Sequence, residues 1–270
     1  MKIGIVGLGI IGNANKAGFE EVGHTVSVHD IKLGTTINEV LDTEVVFVCV
    51  PTPSTEEGRC DTSIVDSVIG ELVDNKYQGA IAVRSTIIPG FTLSMQKKYS
   101  NKKICFVPEF VRERCAEFDF LLEHKLLAVG TDDKEIYSIV EQAHGNLPRN
   151  KVMMQPSEAE ILKYYLNLYA ATRVTFANVF FEVCKKFDAD YKQVKDAYVK
   201  TGRLGDMYLD VRDDLRGYGG MCLPKDTRAF KLLIEDLKLD LSFFDTVDKD
   251  NSKFNSTVFE GMREENDGTV

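Results

Sequence analysis

Lys2-Ile3-Gly4-Ile5-Val6-Gly7-Leu8-Gly9-Ile10-Ile11-Gly12 opens the chain and decides its fold. Lys2–Val6 is a nearly continuous apolar run, the pattern of a parallel strand covered on both faces. The glycines then follow as G-x-G-x-x-G, and Ile11–Val22 reads as a helix. A second β-branched run, Thr25–His29, stops at Asp30. Strand, glycine turn, helix, strand and acid in this order are the fingerprint of a dinucleotide site. The glycines permit the tight turn and a close approach of backbone to pyrophosphate, and the helix N-terminus offers N–H groups to its charge. Gly7, Gly9, Ile10, Ile11 and Gly12 are therefore candidate cofactor contacts. Asp30 stands where a carboxylate accepts both ribose hydroxyls. That favours NAD over NADP, whose 2′-phosphate it would repel, and Lys32 softens the preference.

Further along, Glu44–Val50 reads as a third buried strand closing at Pro51-Thr52-Pro53. Ile64–Asp74 is helical, and Ala80–Ser85, Ile104–Val107, Leu126–Val129 and Lys151–Met154 are strands. This alternation predicts an α/β fold with a Rossmann-like doubly wound sheet. At Pro156 the texture changes. Ser157-Glu158-Ala159-Glu160 reads as a capping box, with Glu160 reaching back to the helix start. No proline or glycine follows until Gly202, so one long helix is expected to about Phe187. It is apolar around much of its girth, through Leu162, Tyr165, Leu166, Tyr169, Phe176, Val179 and Phe180, and is the expected seam of a homodimer. Asp190–Lys200 and Thr227–Leu237 read as helices on either side of the glycine-rich turn Gly217–Gly220. The expected organisation is a dinucleotide-binding domain over 1–155, a central helix with a small all-α domain over 156–255, and a flexible tail over 256–270, frayed from Glu264 to Val270.

Composition bounds the function. A length of 270 residues suits two domains, and 44% hydrophobic with 28% charged residues excludes a chain disordered throughout. A net charge of −9, from 33 basic and 42 acidic residues, argues against a nucleic-acid partner. A phosphorylated small molecule stays possible where positive groups are local. No apolar run approaches the ~20 residues of a membrane helix. The apolar start is interrupted at Gly4, Gly7 and Gly9 and lacks a cleavage pattern, so the chain is expected in the cytoplasm, without a membrane partner. The cysteines, Cys49, Cys60, Cys105, Cys115, Cys184 and Cys222, include no C-x-x-C pair, so neither a metal site nor a disulfide framework is expected. His24, His29, His124 and His144 form no catalytic set.

Three segments are rich in reactive residues: Arg84-Ser85-Thr86-Ile87-Ile88-Pro89-Gly90, Pro108-Glu109-Phe110-Val111-Arg112-Glu113, and Gly217-Tyr218-Gly219-Gly220-Met221-Cys222-Leu223-Pro224-Lys225-Asp226. The first two follow strands, where α/β sheets bind ligands. In the third, glycines let a substrate approach Cys222, and a neighbouring ammonium favours its thiolate. A nucleophilic cysteine lets an aldehyde, held as a thiohemiacetal, lose a second hydride and become a thioester. Most cysteines outside such a setting are buried apolar residues. Lys163 and Asn167, four apart, share one helix face and suit an oxyanion and a water, although a helix-face lysine is commonly just solvated.

These segments, with Gly7–Gly12, Cys49–Pro53 and Ser157–Asn178, occur in an order that resembles the UDP-glucose/GDP-mannose dehydrogenase family across about residues 1–255. Gly-Tyr-Gly-Gly-x-Cys-Leu-Pro-Lys-Asp is the most specific of them. The resemblance implies four-electron oxidation of a nucleotide-sugar alcohol to a uronic acid with two NAD reduced. It makes Cys222 the nucleophile, Lys163 the oxyanion stabiliser with Asn167 beside it, and Asp226 a support for water. Thr86 and Glu113 would position water and contact the cofactor, and Glu109 would serve acid–base chemistry. Glu109, Phe110, Val111, Arg112 and Glu113 would line the sugar pocket together with Lys163 and Asn167. Thr52 and Lys225 would touch NAD, and Gly219 would let the sugar pack on backbone.

Three departures stand against it. Only Ile31–Thr43 separate Asp30 from the strand at Glu44, so a helix and a short strand of the cofactor domain are expected to be missing. The turn before the cysteine has diverged to Asp213-Asp214-Leu215-Arg216, whose acids would repel a diphosphate unless Arg203, Arg212 or Arg216 faces it. The family's third domain, which holds much of the nucleotide, is expected to be absent. Two other readings stay open: a non-catalytic NAD-binding or partner subunit, and a β-hydroxyacid dehydrogenase, which needs no nucleophilic thiol.

Overall fold

Seven apolar runs become one sheet: β1 (Lys2–Val6), β2 (Thr25–His29), β3 (Val45–Val48), β4 (Ala80–Val83), β5 (Ile104–Phe106), β6 (Leu126–Gly130) and β7 (Asn150–Met154). Their order is β2-β1-β3-β4-β5-β6-β7, parallel throughout except between β5 and β6, which meet at Phe106 and Gly130. The computed structural model describes residues 1–203, 205–260 and 262–263, so the expected fraying of Glu264–Val270 lies outside the described residues. Helices α1 (Ile10–Glu21), α2 (Ser63–Asp74), α3 (Phe91–Lys98), α4 (Ala116–Leu122) and α5 (Lys134–His144) accompany the sheet.

The side chains of each strand divide between two cores, which explains the unbroken apolar runs. Val46 and Val48 pack with Val65, Ile69 and Leu72 of α2 and Phe91 of α3. Val45 and Phe47 pack with Phe19 of α1, Phe120 of α4 and Val140 of α5. The order reverses between β1 and β3, the switch point at which doubly wound sheets take their ligands. In the standard arrangement a further strand flanks β2, whereas here β2 is the edge. The expected loss after Asp30 is thus seen: two short 3-10 turns, Ile31–Leu33 and Ile37–Val40, replace it, and buried Ile37 and Val40 close the sheet.

The long helix α6 runs Pro156–Lys186, 31 residues, about 46 Å at 1.5 Å per residue. Its start corrects the expected capping box. Proline occupies the first turn, where a missing N–H costs nothing, and Glu158, not Glu160, reaches back to accept from Gln155 N–H at 2.8 Å. Glu160 is fully buried and accepts instead from Gly90 N–H (2.5 Å) and Thr92 N–H (2.8 Å) at the start of α3. Burial pushes its carboxyl above the usual range despite those bonds.

The chain divides inside α6. One compact unit comprises Met1–Thr55 and Cys60–Lys163, the other Glu56–Arg59 and the described residues from Tyr164 onward. The second unit contains the rest of α6 with α7 (Tyr191–Val199), α8 (Leu223–Asp236) and α9 (Phe243–Asn251), and a two-residue parallel ladder of β8 (Gly217–Tyr218) with β9 (Ser256–Thr257). Its described cores are small and include one around Ala177, Cys184, Tyr191 and Leu209 and one around Ala171, Tyr218 and Val247. Tyr165, Tyr169, Phe176, Phe180 and Val183 of α6, and Phe187 just after it, stay exposed. No described helix is long and apolar enough to cross a membrane.

Candidate active site

In the first unit the glycine loop is tight where it meets itself and open where a ligand would come. A Cβ on Gly12 would lie 2.0 Å from Gly7 O, and one on Gly7 (φ +92°) 2.8 Å from Cys49 O, whereas one on Gly9 would meet nothing within 4 Å. Gly9 caps α1 with no side-chain acceptor, so the first-turn N–H groups, those of Ile10 and Ile11 among them, point outward without a capping partner. Asp30 follows β2. Its Oδ2 accepts from Leu8 N–H at 2.5 Å and its Oδ1 from Lys32 N–H at 2.7 Å, which ties the acid to the loop. Each carboxylate oxygen retains a second acceptor position, so Asp30 still suits ribose hydroxyls. Lys32 is exposed. An open Gly9, uncapped helix amides and an adjacent acid fit a dinucleotide.

Thr52, Thr86 and the Glu109–Glu113 segment follow β3, β4 and β5 and leave the same edge of the sheet as Asp30. Thr52 is buried and Thr86 half-buried, and Ser85 Oγ donates to Val50 O at 2.6 Å, joining the two loops. The Glu109 carboxylate is buried. Its Oε2 forms an ion pair with Arg84 and accepts from Asn15 Nδ2 at 3.3 Å, and its Oε1 accepts from Phe110 N–H at 2.9 Å. Its main-chain carbonyl accepts from Lys163 Nζ at 2.6 Å, and that ammonium lies 5.9 Å from the Phe110 ring centre. Arg112 grips Asp119 with two nitrogens, at 2.9 and 2.6 Å, and holds that carboxyl below its usual range. Val111 and Glu113 are half-buried, Glu113 opening a 3-10 turn.

In the second unit Cys222 is exposed and stands at the N-cap of α8, directly before Leu223 and Pro224. One turn later, buried Asp226 accepts from Lys225 Nζ at 2.7 Å on Oδ1 and from Asn167 Nδ2 at 2.6 Å on Oδ2. Three of the expected site residues, Asn167, Lys225 and Asp226, therefore form one hydrogen-bonded set, two of them three and four residues after Cys222. The Asn251 amide holds the preceding turn through Tyr218 N–H (2.9 Å) and Tyr218 O (3.1 Å). A Cβ on Gly219 would lie 3.0 Å from Ser256 Cβ and 3.1 Å from Thr257 O, so β9 already occupies that face.

The acids of the diverged turn are neutralised locally: Asp213 by Lys185 (2.8 Å) and Asp214 by Arg212 (2.6 Å). Arg216 faces inward. It donates to Asn178 Oδ1 (2.8 Å) and Glu182 Oε1 (2.6 Å) and stacks near Phe181 and Phe254, which removes it from any diphosphate. Sequence reasoning assigned no role to Arg84, Asn15 or Asn251. For Arg84 the signal was present, a cation at the end of an all-apolar strand.

The family model for the UDP-glucose/GDP-mannose dehydrogenase NAD-binding domain matches residues 32–147, and the model for that family's central domain matches 157–253. The chain belongs to the UDP-glucose/GDP-mannose dehydrogenase family. A UDP-glucose 6-dehydrogenase of Haloferax volcanii is 28% identical over 85% of this chain and 64% of its own length. A GDP-mannose 6-dehydrogenase of Pseudomonas aeruginosa is 28% identical over 79% of this chain and 52% of its own length. The structure of a UDP-glucose dehydrogenase from Pyrobaculum islandicum superposes with a TM-score of 0.84 at 25% identity, covering 93% of this chain and 68% of that one. The chain thus spans between about half and two-thirds of the curated relatives named here. Family membership makes the first unit an NAD-binding domain and sets aside the β-hydroxyacid reading.

Proposed function

We propose that the protein oxidises the primary alcohol of a nucleotide sugar to the carboxylate, of the UDP-glucose to UDP-glucuronate type. NAD, when bound, accepts one hydride in each of two oxidations. The observation that carries the reading is the exposed Cys222 at the start of α8, one turn from an Asp226 whose two oxygens are held by Lys225 and Asn167. A non-catalytic NAD-binding subunit has no use for that arrangement.

In this reading the Cys222 sulfur adds to the intermediate aldehyde, forming a C–S bond and a thiohemiacetal oxyanion. Loss of the second hydride leaves a thioester. Water attacks its acyl carbon, the C–S bond breaks, and the thiolate returns as the acid departs. Lys163 and Asn167, one turn apart on α6, supply the ammonium and the amide for the oxyanion. Asp226, fixed by two donors, holds the water. Thr86, Glu113, Thr52 and Lys225 serve cofactor and water positioning, and Phe110, Val111 and Arg112 line the sugar side. The exposed apolar residues of α6 form the seam of a homodimer, and light scattering at micromolar protein should return twice the chain mass. We place the activity in the cytoplasm, where thiols stay reduced.

Purified protein with NAD and either UDP-glucose or GDP-mannose should form two NADH per sugar, with a sugar adduct on Cys222 by mass spectrometry. No NADH with any nucleotide sugar, and a Cys222 that takes no adduct, would return the chain to the binding-subunit reading.

A further inference from the structure

Arg84 places a cation in the core of the first unit. It is 4% exposed and follows β4 directly. Its guanidinium carbon lies 5.6 Å from the Phe47 ring centre and 5.5 Å from that of Phe120, so aromatic rings flank the cation. Its two terminal nitrogens take different partners on the loop after β5. Nη1 donates to Val107 O at 3.4 Å, and Nη2 pairs with the Glu109 carboxylate, so the fork straddles Pro108. The nearby rings of His124 and His144 carry no competing positive charge at neutral pH. Burial and the Arg84 charge lower both, His124 to about 4.

The consequence falls on Glu109. Its side chain is committed to Arg84, Asn15 and its neighbour's amide, while its main-chain carbonyl is the acceptor that holds Lys163 Nζ. A buried ion pair adds little stability over an apolar replacement of the same shape, but it fixes geometry where both partners are hydrogen-bonded. We propose that Arg84 is a positioning residue: by clamping residues 107–109 it sets the carbonyl that aims the Lys163 ammonium. This rests on the role given to Lys163 above.

Arg84→Gln removes the clamp while keeping a polar side chain. Acylation of Lys163 by an amine-reactive ester, followed by peptide mass spectrometry with exposed Lys102 as the internal reference, is expected to run about 3- to 10-fold faster than in the unaltered chain. NAD affinity should stay within about threefold, and kcat with UDP-glucose should fall about 10- to 100-fold with a much smaller change in KM. A folded Arg84→Gln chain with unaltered Lys163 labelling and kcat overturns the proposal. Where that variant does not fold, Arg84→Lys keeps the charge on a single donor group. Faster Lys163 labelling in it supports the proposal and unaltered labelling overturns it. Labelling needs no substrate, so an unaltered chain that oxidises no nucleotide sugar defeats the proposed function alone, and unchanged labelling defeats the clamp alone.

Discussion

Two glycine turns lead into two helices in this chain, and they are built to opposite effect. The loop Gly7–Gly12 is closed against itself, with Gly12 pressed on Gly7 O, and its outer face at Gly9 meets nothing. The turn Gly217–Gly220 is closed by its own chain. Added Cβ atoms would lie 2.8 Å from Asn251 Oδ1 at Gly217, 3.0 Å from Ser256 Cβ at Gly219 and 2.7 Å from Met262 Cε at Gly220. The sequence patterns look alike, but the first presents open backbone to a ligand and the second uses its missing side chains to seat Asn251, Ser256, Thr257 and Met262. For Gly219 to face a sugar, as the family resemblance implies, Ser256–Val258 must yield. Cys222, two residues past the covered turn, is exposed without any such change.

The comparison breaks most sharply at Cys222. Cys222→Ser keeps the turn and should lower acid formation at least about 10³-fold, because an alkoxyl centre does not replace the thiolate; the readout is carboxylate product, with NAD binding unchanged. Next is Gly12→Ala. Its methyl cannot fit 2.0 Å from Gly7 O, so the loop must shift, and we expect NAD affinity to fall about 100-fold together with a stability loss of roughly 2–4 kcal/mol in urea unfolding. Gly9→Ala meets no atom of the protein. Its melting temperature should hold while the NAD Kd rises about tenfold, equivalent to roughly 1.4 kcal/mol; a Kd at the parent value would mean that no ligand approaches Gly9. The smallest effect is expected for Gly219→Ala, where Ser256 and Thr257 must give by a few tenths of an ångström, at a cost of about 1 kcal/mol in the same unfolding assay. An unaltered stability would show that β9 does not hold that face.

What could be read beforehand follows from how local each cause is. The strands were legible because Val45–Val48 and Ala80–Val83 are apolar at every position, a consequence of two cores meeting one sheet. The span of α6 was legible to within a residue at each end, since neither proline nor glycine interrupts it. Its cap was not. Glu160 looked like a capping residue, but its partners, Gly90 and Thr92, come from 70 and 68 positions earlier in the chain. Helix α3 carries buried Thr92 and Gln96 on its inner face, which blurs its periodicity. At the site, Lys163 and Asn167 could be paired by helical spacing. The Asn167–Asp226 bond and the Arg84–Glu109 pair could not, because 59 and 25 residues separate the partners. Arg216 was a fair candidate for a phosphate until Asn178 and Glu182 were seen to hold it.

The exposure of Cys222 has a chemical cost. Cys60, Cys105 and Cys184 are buried, Cys49 and Cys115 are half-covered, and burial pushes the Cys49 and Cys105 thiols up to about 12. Among the cysteines an oxidant therefore finds Cys222 the most accessible, and it is the one assigned to carry the acyl group. The opening that admits an aldehyde also admits peroxide, whose product on sulfur is a sulfenic acid that a thiol reductant reverses and further oxidation makes permanent. Loss of activity under oxidation would then track a single modified peptide rather than loss of the fold, and recovery with reductant would measure how far the damage had gone.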